Sequence, residues 1–266
     1  MIEGHVQVNS VDSDYFLEVA RGNVSGVSSI HKFGNAPDFD TGDGFVTVWD
    51  GANDGGINAM SYTYSTTADI DSISSSNAGD GQVIEVQGLD TDWALTTQNV
   101  TLNGQTRVAL GTDLIRVFRM KNTGTTNNAG DVYCYVNGAI TGGVPNTAGD
   151  VRAVIEIGNN QTLMSIYTVP ASKTGYLCSF YGGTAGAKKT AVYGFEMFAR
   201  PSGQVFQLKH KSSMMEDGSS HFQHVYAIPE VFAAKTDIEV RISVITAAVT
   251  QAATSAGFDL ILVDDL

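Results

Sequence analysis

The chain has 266 residues, of which 42% are hydrophobic and 16% charged, with a formal net charge of −13. That length holds one large or two medium domains and a real core. The acidic balance would be repelled by phosphate backbones, and no apolar run approaches membrane-spanning length, so neither a nucleic acid nor a membrane is an expected partner.

In chain order, "MIEGHVQVNS" lacks the basic end and apolar stretch of a leader, which predicts a protein not exported by a cleaved leader. The sequons at Asn23, Asn99 and Asn160 are then chance matches. Residues 1–29 form an N-terminal arm, with possible short strands in "HVQVN" and "YFLEVA" followed by the linker-like "RGNVSGVSS". Two readings of the arm stay open: the first strand pair of the chain's own sandwich, or a clamp on a neighbouring subunit.

Residues 30–150 make a first strand-rich block and residues 151–266 a jelly-roll-like block, divided near the Gly-rich "NGAITGGVPNTAGD". The period is two almost everywhere. In "QVIEVQG", Ile84 and Val86 oppose Val83, Glu85 and Gln87. In "TLNGQTRV", Asn103-Gly104 predicts a type I′ hairpin turn. "LIRVFRM", "DVYCYV", "AVIEI", "YLCSFYG", "AVYGFEMFAR", "VFQLKH" and "HFQHVYAI" follow as further strands. In "TDIEVRISVIT", Ile238, Val240, Ile242 and Val244 oppose Glu239, Arg241 and Ser243. The nearest helical candidate, "PEVFAAKTD", is a single turn at most. With 29 Gly and only 5 Pro, the reading is all-β, a β-sandwich or jelly-roll.

No motif carries chemistry. "DFDTGDG" resembles the start of a calcium loop, but an EF-hand registered on Asp38 has Gly42, Asp43 and Trp49 at its fifth, sixth and twelfth positions, where a ligand, Gly and a carboxylate belong. Turns built by Asp and Gly are expected, with a non-EF site at Asp38, Asp40 and Asp43 as the alternative. "GGTAGAKKT" misses the phosphate-loop spacing and precedes a strand; a hairpin loop is expected. His221 and His224, three apart on a strand, point to opposite faces and cannot share a metal. Lys209, His210 and Lys211, and the pair Lys188-Lys189, read as solvated surface. Cys134 and Cys178 read as free thiols. No G-x-S-x-G or H-E-x-x-H occurs. No catalytic, cofactor-binding or metal residue is assigned, and an enzyme is not expected.

The order of "SSIHKFGNAPDFDTGDGFVTVWDG", "VIEVQGLDTDWALTTQNVTLNGQTRV", "IYTVPASKTGYL" and "TDIEVRI…SAGFDLILVDD" resembles a group of tailed-bacteriophage virion structural proteins, over nearly the whole chain after about residue 28. The resemblance implies a β-sandwich subunit on the phage particle. The expected role is capsid decoration (a cement protein), with the major capsid protein and sister copies as partners and a trimer as the guessed oligomer. The alternative is a neck or tail component whose loops hold sugar against Trp49, Trp93 or tyrosines, although core packing is the simpler role of both tryptophans.

Overall fold

The computed structural model describes residues 15–53, 56–186, 191–215, 220–246 and 252–265. One short helix, α1 (Tyr15–Ala20), leads into β1 (Val27–Phe39) and β2 (Val46–Thr47). Nine strands follow: β3 (Ile70–Ser75), β4 (Val83–Leu89), β5 (Leu95–Thr101), β6 (Val108–Leu114), β7 (Arg116–Asn122), β8 (Val132–Val136), β9 (Ile140–Thr141), β10 (Val144–Pro145) and β11 (Val151–Ile155). The last seven are β12 (Ile166–Thr168), β13 (Lys173–Gly186), β14 (Val192–Pro201), β15 (Gln207–Met215), β16 (Ser220–Phe232), β17 (Thr236–Thr246) and β18 (Ala252–Asp264). The protein is all-β, as its period-two patterning requires.

Two sheets have the order β1-β18-β13-β16 and β12-β17-β14-β15, with β2 also pairing β17. Taken in chain order, β1 and β12–β18 are eight strands that pair first with eighth, second with seventh, third with sixth and fourth with fifth. All four pairings are antiparallel. A long hairpin wrapped into two facing sheets has this pattern, which is that of a jelly-roll. Phe180, Phe195 and Phe258 are fully buried in it. Phe222 of β16 stacks edge-on against Phe180 at 5.0 Å and Phe195 at 5.2 Å. Each such ring contributes about 1.5–3 kcal/mol by leaving water.

Everything from β3 to β11 is inserted between the first and second strands of the roll. The insert has a sheet β11-β8-β3-β6, a sheet β5-β4-β7 and the ribbon β9-β10. Ile84 and Val86 of β4 are fully buried while Glu85 and Gln87 are half-exposed, as the alternation requires.

The expected blocks therefore do not coincide with strand pairing. β1 and β2, from the first block, belong to the roll, and β11, from the second, pairs with β8 of the insert. Alternation marks a strand but carries no information about its partner. The expected boundary after residue 29 falls inside β1, whose first residue, Val27, pairs with Val263.

"YFLEVA" is helical rather than a strand. Leu, Glu and Ala are good helix formers, Arg21 pairs with Glu18 at 2.9 Å, and Gly22 ends the helix with φ +76°. "HVQVN" lies outside the described residues. "PEVF" completes β16, and the turn follows at Lys235. "GGTAGAKKT" is not a hairpin loop, because β13 and β14 lie in different sheets; its Lys188 and Lys189 are outside the described residues.

Asn103-Gly104 does make a tight turn, but not type I′. Asn103 bridges Thr106, and only Gly104, at φ +54°, is left-handed. That makes Gly104 the first central residue, the pattern of a type II′ turn. A Cβ on Gly104 would lie 2.4 Å from the Ala78 carbonyl. The flanking β5 and β6 then diverge into different sheets.

Candidate functional site

The seam between roll and insert holds a cluster of buried charge. β17 contributes Asp237 and Glu239, each 1% exposed. The alternation placed Glu239 on a solvent face; instead both faces of β17 are covered, because the insert packs on the side away from the roll core. Arg116, from β7, donates Nε and Nη2 to the two Asp237 oxygens at 2.8 and 3.0 Å, and Nη1 to the Ser65 carbonyl at 2.6 Å. Arg200, from β14, donates Nη2 to the same carboxylate at 2.7 Å, and Thr168 donates its hydroxyl at 2.7 Å. Glu239 accepts from Arg241 and, at 2.9 Å, from the Tyr64 hydroxyl. Burial raises the Glu239 carboxyl above its ordinary value, with Arg241 opposing.

Aromatic rings separate these cations into a ladder. Arg116 lies 4.9 Å from the Trp93 ring and 5.0 Å from Tyr64. Arg200 lies 4.7 Å from Tyr64 and 4.4 Å from Phe206, and Arg241 is 4.8 Å from Phe206. Lys235 closes one end, 5.6 Å from Trp93. Lys235 and Trp93 both have left-handed backbone, at φ +61° and +64°. Such contacts contribute about 0.5–2 kcal/mol each when desolvated. Charges and donors here satisfy one another, so the ladder clamps the insert to the roll. Sequence reasoning missed it: the acid-cation alternation in "TDIEVRI" was visible, but Arg116 and Arg200 are remote in sequence.

The expected sites fall elsewhere. Asp40 and Asp43 spend their oxygens on a turn: Asp43 accepts from the Asp40 amide at 2.7 Å, and Asp40 accepts from the Gly42 amide. Asp38 bridges Asn53 as part of an extended segment. Among the described residues no group of three or more His, Cys, Asp or Glu is placed to hold a metal. His224 stacks on His210 at 4.5 Å and Tyr226 at 4.6 Å, on the face that Phe222 shares, with His221 on the other. Trp49 is buried and donates Nε1 to the Ala59 carbonyl at 3.0 Å. Cys134 and Cys178 are free, in strands of different sheets.

The sheets of the roll end on β1 and β16 and on β12 and β15, and β15 runs beside β16, with Lys209 3.2 Å from Glu230 across them. Along β15 and β16, Leu208, Met215, Val225, Ile228 and Val231 are exposed. Opposite β13, β16 bulges: Leu177 faces Glu230 and Ser179 faces Val225. The bulge projects Ile228, 85% exposed, from the edge. Helix α1 adds exposed Tyr15, Phe16 and Leu17.

No family model and no curated protein matches the chain. Among solved structures it is similar to infectious bursal disease virus, Gt strain, at 10% identity over 90% of this chain and 72% of that one, with a TM-score of 0.25. The Gx strain gives 11% identity, 90% and 71% coverage, and a TM-score of 0.26. The VP2 subviral particle of the same virus gives 11% identity, 95% and 78% coverage, and a TM-score of 0.21. Similarity at that level carries no argument about function.

Proposed function

We propose that this chain is a non-enzymatic structural protein of a tailed-bacteriophage particle, acting as a capsid decoration protein. The observation that carries the reading is a jelly-roll with apolar side chains exposed along its edge strands β15 and β16 and an apolar helix beside its first strand, joined to the sequence resemblance. Jelly-rolls serve capsids, lectins and cupins alike, so the edges and the resemblance, not the fold, favour this role. Trp49 is buried in the core and Trp93 has Arg116 and Lys235 beside its ring, which supports decoration over a glycan-binding tail tip.

The protein would work by binding energy alone. Contacts available only in the assembled shell stabilise that shell by mass action. The partners are the major capsid protein and sister copies, with a trimer as the working assembly. The apolar side chains exposed along β15 and β16 are the contact surface for a neighbour, and residues 1–26, which carry α1, are the clamp.

A gel of purified particles tests this directly. A band approaching the abundance of the major capsid protein supports decoration; a band at the level of a single neck or tail ring moves the protein there; no band in particles removes it from the virion. Deletion of residues 1–26 should leave a folded β-protein with reduced capsid occupancy, whereas unchanged occupancy would relieve the arm of its role.

A further inference from the structure

A cavity of about 380 Å³ opens at the seam between roll and insert, where β1, β7 and β12 meet. Its lining includes His31, Lys32 and Arg119, with Gln87 and Gln161, and contains no Asp or Glu. In a chain of net charge −13 this is a locally positive chamber.

Lys32 is 7% exposed, and its ammonium donates to one acceptor, the Phe118 carbonyl. The Phe118 ring lies 5.9 Å away. Buried charges are normally paired with an opposite charge, yet among the described residues no carboxylate lies in ion-pair range of Lys32. The Tyr167 hydroxyl, buried in the same lining, has no hydrogen-bond partner among the described residues. Arg119 stands at the mouth, held by Gln161 at 3.2 Å. An ammonium held by one neutral carbonyl, an unpartnered hydroxyl, a guanidinium and the apolar walls of Ile30, Phe33 and Phe118 describe one kind of guest.

We propose that this cavity binds a small organic anion, with its carboxylate or phosphate head on Lys32 and Tyr167 and its apolar body against Phe118. Burial, with Arg119 adding to it, pulls the Lys32 ammonium down to about 7; a bound anion would restore the charge. His31 is already committed to Asp259 and, through Nε2, to the Tyr181 hydroxyl at 3.2 Å, so it frames the mouth and is not a further donor.

The test uses the whole protein with benzoate, phenyl phosphate and neutral benzamide as probes. Acetylation of Lys32 at neutral pH, followed by peptide mass spectrometry, should slow severalfold with an anionic probe and not with benzamide. Protection by benzoate alone assigns a carboxylate head, and by phenyl phosphate alone a phosphate head. Calorimetry should show the preferred anion binding about tenfold more weakly to Lys32→Met and about threefold more weakly to Tyr167→Phe, the scale of one charged and one neutral hydrogen bond. Tyr167→Phe keeps the ring and so answers even if Lys32→Met does not fold. Equal protection by benzamide, no protection by either anion, or undiminished binding to both variants would overturn the site.

Discussion

Arg116 and Asp237 lie 121 residues apart in sequence and form a two-point ion pair, Nε to Oδ1 at 2.8 Å and Nη2 to Oδ2 at 3.0 Å. Their side chains are 6% and 1% exposed. The pair joins the insert to the seventh strand of the roll. Removing Arg116 leaves the buried Asp237 carboxylate with only Arg200 and Thr168 as partners, which costs up to about 3–5 kcal/mol, the scale of a broken buried pair. Arg116→Ala should therefore destabilise the protein on that scale in chemical denaturation, and Arg200→Ala, whose side chain is 25% exposed, by less. A cost below about 1 kcal/mol for Arg116→Ala would mean the seam does not depend on the pair.

Asp50 accepts the Leu163 amide at 2.9 Å through Oδ2, while Oδ1 is buried without a partner. Burial, then Glu156 and Asp131, pushes its carboxyl up to about 8 from an ordinary 3.8. Between those values the folded state holds more proton than the unfolded chain, so this group's contribution to stability falls as pH rises. Asp50→Asn should flatten that decline and make the protein more stable than wild type at pH 8, by an amount on the order of a few kcal/mol at most. Parallel pH–stability curves for the two proteins would refute the assignment.

Gly257 lets the Tyr181 ring lie across β18. A Cβ there would stand 2.3 Å from the Lys32 carbonyl and 2.4 Å from the Tyr181 hydroxyl. Both neighbours are fixed, one as backbone and one by its contact with His31. Gly257→Ala should cost about 1–3 kcal/mol by overpacking, read as a lower melting temperature; an unchanged one would show that β18 can shift.

Cys134 is fully buried, and burial pushes its thiol up to about 12; Cys178 is half-buried, with its thiol also raised by burial. The thiolate is the reactive form. Native protein treated with iodoacetamide near pH 7 should leave Cys134 unmodified and label Cys178 slowly, both becoming fast in denaturant. Prompt labelling of Cys134 would contradict its burial.

With Asp40 and Asp43 spent on their own turn, EDTA should leave the melting temperature unchanged. A drop of several degrees, reversed by calcium, would install a site at Asp38, Asp40 and Asp43.

The all-β class was legible from local sequence because a pleated strand buried on one face writes a period of two directly into its residues. Ile84 and Val86 alternate with Glu85 and Gln87 as that rule demands. The acidic balance and the turn chemistry of Asp40, Gly42 and Gly104 were local in the same sense. Partnership was not: β1 pairs with β18 across most of the chain, and nothing in "SSIHKFGN" specifies that distance. Glu239 shows the consequence. Its alternation marks a polar face, but only the arrival of Arg116 from the insert and of Tyr64 from the segment before it decides that this face is buried and paired. Nothing in the local sequence marks Lys32 as buried; the cavity at the seam exists only because distant strands converge there, and burial is a property of the converged chain.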